Sequence, residues 1–344
     1  MQESGIKVVM EPCPVREDGS FLNRFCQALR GCGDVEIVGR VAPKNAIRVL
    51  SADWIILNWW EDEYFKRSKL RRWIAKWLLK LSRAKKTVVF HNKQPHECTH
   101  EKMDFYKKLL LSADRIILLT ESSRKNLATI IGEEAAQQKS VVVHHPNYDV
   151  RPKNWSEKPE DRFKVLFFGF LRPYKNIELL IDVAKKHQEI DFIISGDAEG
   201  HEGYADSLIE KCNGVTNIKL DVRFLSDEDL DVLIEDAHIL CLPYNIVSSQ
   251  NSGVAIYAFS KGINVVIPEI ETIKELKNKS CVYSYSYDSI SEHVMQLECA
   301  IIAAKDDYFE NYMQFIGRTE MLNKEIDREY SLNSIANQIG DFIG

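Results

Sequence analysis

Over the first 145 residues short apolar runs alternate with longer amphipathic stretches, and after a break the same alternation begins again. Lys7–Met10, Val35–Val38, Trp54–Leu57, Thr87–Phe90, Arg115–Leu119 and Val141–His144 have the length and side chains of strands. Helical spacing lies between them near 20–30, 63–83, 101–112 and 121–138. A run such as Trp54-Ile55-Ile56-Leu57 is apolar at every position, so both faces of that strand must be covered. The pattern predicts a parallel sheet with helices on both sides, an α/β doubly wound, Rossmann-like domain.

From His145 to Arg162 the alternation lapses, and Pro146, Pro152 and Pro159 fall among Asn, Asp, Lys, Ser and Glu. Such density of proline and polar residues reads as a linker. Beyond it Phe163–Phe168, Phe192–Ile194, Thr216–Leu220, His238–Leu242 and Asn264–Ile267 read as strands, with helices near 176–188, 203–213, 227–236 and 252–261. After about residue 285 only helical spacing remains, over Ser289–Ala304, Asp306–Thr319 and Ser331–Ile343. The expected organisation is therefore a Rossmann-like domain over 1–148, a linker over 149–162, a second over 163–320, and a terminal helix over 321–344 packing back towards the first domain. Two such domains place their strand carboxyl ends around a shared cleft, where ligands of this fold class bind.

Composition narrows the function. With 16 Gly and 10 Pro in 344 residues and no apolar run near the roughly 20 residues of a spanning helix, the chain reads as cytoplasmic. Its eight scattered cysteines, without a Cys-x-x-Cys pair, read as reduced thiols and make a zinc site improbable. Tyr64–Lys86 holds ten basic residues and no acid, which leaves −16 on the remainder of a chain whose net charge is −6. An acidic body with one cationic patch argues against a nucleic-acid binder and for one surface that meets an anionic partner.

Two segments carry phosphate-binding chemistry. Phe167-Phe168-Gly169-Phe170-Leu171-Arg172-Pro173-Tyr174-Lys175-Asn176 is a strand end, a turn with two cations and a helix start. Backbone amides at Gly169 can approach an anion there, with Arg172 as a forked donor and Lys175 as a point charge, and diphosphate is the natural ligand. Read without function, it is a solvated loop. Leu242-Pro243-Tyr244-Asn245, followed by Ser248-Ser249-Gln250-Asn251-Ser252-Gly253, ends where another helix begins, and Ser252 and Gly253 would present free amides and a positive dipole end. The plain alternative is a serine N-cap.

The ordered set Gly169/Arg172/Lys175, Ser195-Gly196-Asp197, Asp227-Glu228-Asp229-Leu230, Leu242-Pro243-Tyr244, Ser252-Gly253, Ala258, Gly262 and Val266-Ile267-Pro268 resembles the donor half of family 4 glycosyltransferases, which have the GT-B fold. The resemblance spans roughly 163–268. It implies a hexosyltransferase-type enzyme of polysaccharide or lipopolysaccharide assembly. The donor would be a nucleoside-diphosphate sugar of UDP or GDP type, with its diphosphate on Gly169, Arg172, Lys175, Ser252 and Gly253. Gly196, Asp197, Tyr244, Ser249 and Tyr257 would lie towards the donor sugar and nucleoside. With those cations in place no metal and no cofactor is required. The family's pair of glutamates falls at Ser249 and Tyr257, so neither residue inherits a carboxylate's task. A nucleotide-sugar 2-epimerase of the same fold, or a non-catalytic sugar-nucleotide-binding protein, stays open as an alternative.

In the amino-terminal half, Phe90-His91-Asn92-Lys93-Gln94-Pro95-His96-Glu97 leaves a strand end with two imidazoles and a carboxylate. His91, His96 and Glu97 are the candidate catalytic residues, suited to orient or deprotonate an acceptor hydroxyl. Their other reading is a polar loop satisfied by backbone. His144-His145-Pro146-Asn147-Tyr148 resembles the family's His-Pro-Asn segment and reads as a hinge. Phe65–Arg83 reads as one basic helix, with Leu70, Trp73, Ile74, Trp77, Leu78 and Leu81 on one stripe. Arg71, Arg72, Trp73, Lys76, Trp77 and Lys80 form a patch suited to an anionic headgroup layer, hence a peripheral protein at the inner face of the cell membrane acting on a glycan or lipid-linked glycan acceptor. The other reading packs the apolar stripe on the sheet and leaves the cations solvated.

Overall fold

The structure, a computed structural model, describes residues 5–14, 20–95 and 98–343. The chain divides into two compact units, residues 1–146 with 329–344, and residues 147–328.

The first unit contains β1 (Ile6–Glu11), α1 (Phe21–Gly31), β2 (Val35–Gly39), α2 (Ala46–Leu50), β3 (Trp54–Asn58), α3 (Trp60–Glu63), α4 (Lys69–Leu81), β4 (Lys85–Phe90), α5 (His100–Ser112), β5 (Arg115–Leu118), α6 (Ser123–Ile131), α7 (Glu133–Lys139) and β6 (Ser140–Val142). The strands form one parallel sheet in the order β2-β1-β3-β4-β5-β6. Side-chain alternation divides its core in two. Val8, Met10, Trp54, Ile56 and Val89 face α1, whereas Val9, Ile55, Leu57, Val88 and Phe90 face the helices of the other side. The last helix of the chain joins the first of these layers: Ile335, Ile339 and Ile343 lie beside Phe25 and Leu29 of α1.

The second unit contains β7 (Phe163–Phe168), α8 (Ile177–Lys186), β8 (Ile190–Gly196), α9 (Glu202–Cys212), β9 (Ile218–Val222), α10 (Asp227–Asp236), β10 (Ile239–Cys241), α11 (Gly253–Ser260), β11 (Asn264–Pro268), α12 (Glu271–Glu275), β12 (Val282–Tyr285), α13 (Ile290–Glu310) and α14 (Tyr312–Glu329), and α15 (Leu332–Ile343) is the helix that returns to the first unit. Its sheet is again parallel, in the order β12-β11-β10-β7-β8-β9. In both sheets the order reverses once, beside the first strand: at β1/β3 in one unit and β7/β10 in the other. These are the topological switch points at which ligands of open α/β sheets bind.

The structure corrects two helix expectations. The single helix over 63–83 is two helices, because residues 64–68 are held elsewhere: Arg67 reaches Glu11 at the end of β1 (2.7 Å) and the Val41 carbonyl (2.8 Å), and Ser68 then starts α4 from an extended conformation. The helix over 121–138 is interrupted at Gly132, whose φ of +90° ends α6 and begins α7. Strand β12 and the short helices α2 and α12 add to the expected elements.

Candidate functional site

At the β7/β10 switch point the chain leaves β7 through Gly169, whose φ of +113° favours glycine. The loop is tied to β8, with the Gly169 amide donating to Ser195 O (3.1 Å) and the Leu171 amide to Asp197 O (2.7 Å). The approach is so close that a Cβ on Gly196 would lie 1.9 Å from the Gly169 carbonyl oxygen. On its other side Asn176 Nδ2 donates to Pro243 O (3.1 Å) and the Asn245 amide to Tyr174 O (2.9 Å), so the loop is pinned between the ends of β8 and β10.

This pinning fixes two cations. Lys175 is buried against the rings of Phe167 (5.5 Å) and Tyr244 (5.8 Å), with no carboxylate beside it. Burial, and then the Arg172 guanidinium, bring its pKa down from 10.5 to about 7. Arg172 lies over Phe170 (5.0 Å), and its buried Nη1 has no hydrogen-bond partner. A Cβ on Gly169 would meet Lys175 Nζ at 3.1 Å and Val254 Cγ2, in the first turn of α11, at 3.7 Å. Ser252 caps that helix by accepting from the Ala255 amide (3.0 Å), which leaves the Gly253 and Val254 amides without a protein acceptor. An unpaired ammonium, an unpaired guanidinium nitrogen and the positive end of a helix thus converge on one glycine turn. Such an arrangement concentrates positive charge that no salt bridge among the described residues balances.

The remaining donor-side positions are dispersed around this centre. Asp197 caps its own turn, accepting from the Glu199 amide (2.8 Å). Ser249 is buried and its Oγ is unpartnered. Tyr257 turns its hydroxyl to Asp231 of α10 (3.3 Å), which also takes Lys261 Nζ (2.7 Å). The acidic start of α10 is a capping box: Ser226 and Asp229 exchange hydrogen bonds, and Asp229 is paired with Arg223.

In the first unit, His91 is buried just past β4, with Nε2 at 3.0 Å from Asn58 Oδ1 and its ring stacked on Trp59 (centroids 3.9 Å apart, 16° between planes). His96 and Glu97 lie outside the described residues. His145 is a core histidine: its Nδ1–H donates to Pro146 O (2.7 Å), and burial lowers its pKa to about 4. Sequence reasoning passed over Glu61, which is buried in α3 with neither oxygen meeting a partner from another residue and which desolvation raises to about 8. A carboxylate inside an otherwise unremarkable Trp-Glu-Asp-Glu run gives no sign of this in the sequence.

On α4 the basic patch is arranged differently from a simple stripe. Ala75 and Leu78 are buried, while Leu70 (66%), Trp73 (60%), Trp77 (42%) and Leu81 (62%) are exposed. Arg71, Lys76 and Lys80 are exposed too, Lys80 over the Trp77 ring (5.1 Å). Arg72 does not belong to that outer face: it donates to the carbonyls of Phe65 (2.6 Å) and Arg67 (2.8 Å). No helix among the described residues is long and apolar enough to cross a membrane.

With this geometry in place, comparison with known proteins is decisive for the fold. The glycosyl transferases group 1 family profile matches residues 151–300. The chain has the GT-B fold. It superposes on sucrose-phosphate synthase from Thermosynechococcus elongatus with a TM-score of 0.74 at 13% identity, over 98% of both chains. Anabaena Alr3699/HepE, solved in complex with UDP-glucose, gives 0.70 at 15% identity, again over 98% of both chains. A glycosyltransferase from Rickettsia africae gives 0.66 at 11% identity, over 99% of this chain and 98% of that one. No curated protein sequence matches the chain. The family match falls on the GT-B unit that holds Gly169, Arg172, Lys175 and Ser252-Gly253, the unit with the uncompensated positive charge.

Proposed function

We propose that this chain is a metal-independent glycosyltransferase that moves a hexosyl group from a nucleoside-diphosphate sugar, of UDP or GDP type, to a glycan or lipid-linked glycan acceptor. The observation that carries the reading is the pair of cations without a salt-bridged carboxylate, Lys175 and Arg172, beside the Gly169 turn and the free amides that open α11. The group 1 match to the same unit and the UDP-glucose held by the Anabaena protein support it.

In the reaction, the bond from the sugar's anomeric carbon to the terminal phosphate oxygen breaks and its electron pair stays on that oxygen. Negative charge grows on the leaving diphosphate, and donors already aimed at it lower the barrier without reorganising. Lys175, Arg172 and the Gly253 and Val254 amides supply that charge, which is why no metal is needed in this reading. The acceptor oxygen bonds to the anomeric carbon and gives up its proton, which the freed phosphate oxygen takes directly or through a base. His91, held by Asn58 and Trp59, is the described candidate for orienting that hydroxyl; His96 and Glu97 are the other two.

The outer face of α4 supports a peripheral role at the cytoplasmic face of an anionic membrane, in polysaccharide assembly. Exposed Trp and Leu flanked by Lys and Arg suit the boundary between headgroups and acyl chains.

The test is thermal stabilisation by UDP, GDP, ADP, dTDP and CMP and their sugars, in the parent chain, Arg172→Ala and Lys175→Ala. Stabilisation by one nucleoside diphosphate, lost in both variants, is the expected result. No response to any of them refutes the donor assignment. Donor conversion without acceptor identifies an epimerase instead, and tight donor binding with no turnover on any acceptor identifies a binding protein.

A further inference from the structure

The β1/β3 switch point of the first unit is built in a chemistry opposite to that of β7/β10. Trp59, the residue after β3, has φ +46° and ψ +30°, a left-handed conformation that a bulky side chain adopts only when its surroundings impose it. The chain follows it with Trp60, fully buried under the Arg67 guanidinium (4.5 Å). Anchoring Trp60 inside the core turns Trp59 the other way. Its indole is partly exposed, lies flat on His91 and takes an edge contact from Phe21 (5.8 Å). Phe21 in turn touches His91 (5.0 Å) and His145 (4.9 Å). An aromatic shelf from α1, β3 and β4 therefore stands at the position where this fold class binds its ligand.

Among the described residues, three cations near the shelf are paired with carboxylates, while Arg24 of α1 acts electrostatically on His145. Arg40 and Arg67 hold Glu11 (3.2 and 2.7 Å), and Lys102 meets Asp62 (3.6 Å). A neutral polar group also stands next to the shelf: Asn58, whose Oδ1 faces His91 Nε2 and whose Nδ2 is buried without a partner. A flat aromatic surface with neutral amide and imidazole groups fits a ligand that is apolar on one face and hydroxylated at its edge. A phosphate finds no free cation among these groups.

We propose that Trp59 is the seat of the acceptor's sugar ring, so that the first unit binds a neutral pyranose at its β1/β3 switch point. The inference rests on the transferase reading above, which requires an acceptor hydroxyl; it adds the acceptor's chemical class and the residue that recognises it.

Five of the six tryptophans lie in this unit, and the sixth is Trp155, so indole fluorescence reports on the site. The full chain is titrated with methyl glucoside, galactoside, mannoside and N-acetylglucosaminide in both anomeric forms. One or more of these is expected to shift the emission, and the shift is expected to vanish in Trp59→Leu and persist in Trp73→Leu. With that glycoside as acceptor, Trp59→Leu is expected to raise KM about tenfold, with kcat changed far less and stabilisation by the nucleoside diphosphate unchanged. Trp59→Phe, which keeps an aromatic face, is expected to fall between the parent and Trp59→Leu and covers the case in which the leucine variant fails to fold. A glycoside response or KM that is indifferent to Trp59, or no response to any glycoside, overturns the proposal. Loss of nucleotide stabilisation in the parent chain overturns the transferase reading instead.

Discussion

The two switch points share a topology and differ in how their charges are balanced. At β7/β10 neither Lys175 nor Arg172 is paired with a carboxylate in a salt bridge, Glu202 only acting on Arg172 from a distance, and glycine backbone lines the turn. At β1/β3 the buried Glu11 is held by two arginines, the nearby Glu61 is kept neutral by burial, and aromatic rings line the surface. A fold sets where a ligand sits, and the side chains at that place set what it is. Uncompensated positive charge selects a polyanion. Compensated charge with an aromatic surface selects a neutral ring.

The comparison can be broken most severely at the close approach of β7 to β8. Gly196→Ala puts a methyl group where the Gly169 carbonyl oxygen stands, a backbone clash that no rotamer relieves. We expect a loss of about 3 kcal/mol or more in urea unfolding of the second unit and no nucleotide stabilisation. The corresponding blow to the first unit is Glu11→Gln, which leaves the partly buried Arg67 without its carboxylate. A loss of about 3 kcal/mol is expected there, followed by the fluorescence of the five tryptophans of that unit, with nucleotide binding intact.

Next in size is Lys175→Met, which keeps the stem and removes the charge. We expect turnover to drop by about a hundredfold or more, while the unliganded chain becomes more stable by about 1–3 kcal/mol at pH 6, because a buried charge without a partner is gone. An unliganded variant less stable than the parent at pH 6 would show that Lys175 is compensated after all.

One buried group in each unit should also answer pH, the two in opposite directions. Lys175 gives up its proton near 7 in the folded chain and near 10.5 in the unfolded one, so the unfolded state holds the extra proton in between. Its unit is penalised in full below about 7 and gains stability as the pH rises from there towards 10.5. Glu61 behaves inversely: folded, it keeps its proton to about 8, against 4.5 when unfolded. Its unit holds that stability below 4.5 and loses it as the pH climbs to about 8. Urea unfolding at pH 5, 7 and 9, with tryptophan emission for the first unit and nucleotide binding for the second, resolves the two trends. Glu61→Gln removes the fall from the first, where buried His145, lowered to about 4, pushes stability up towards pH 6.5, and Lys175→Met reduces the rise in the second, to which buried Lys153, lowered to about 8, also contributes.

What the sequence disclosed follows the range of the forces involved. Strands such as Trp54–Asn58 and Phe163–Phe168 were legible because a fully buried strand must be apolar at every position. Gly169, Arg172, Lys175 and Ser252-Gly253 were legible as anion-binding types, since a strand end, a glycine and a helix start are local signals. The burial of Lys175 was not, because it comes from Phe167 and from Tyr244, far along the chain. The break at 64–68 was hidden for the same reason: Arg67 is drawn out of helical register by Glu11, on another strand. Trp59 could not be singled out, since nothing in Asn58-Trp59-Trp60-Glu61 announces a left-handed backbone. Periodicity found the apolar stripe of α4 but placed it beside the sheet as readily as in solvent.

That stripe gives the smallest expected effect on stability. Here the first unit does have uncompensated cations, Arg71, Lys76 and Lys80, set on its exterior among Leu70, Trp73, Trp77 and Leu81. If these serve a membrane surface, they contribute little to folding, because exposed side chains away from caps and cores change stability by no more than about 0.5 kcal/mol. Trp73→Ser with Trp77→Ser should therefore leave the unfolding curve in place while abolishing sedimentation with vesicles containing phosphatidylglycerol. Raising the salt should weaken the parent's binding, since attraction between lysines and lipid phosphates is screened within about 10 Å at 0.1 M. A clear drop in stability would mean that the two indoles pack against the protein. Unchanged vesicle binding would remove the membrane from the account and leave the first unit with a single ligand surface, the aromatic shelf at β1/β3.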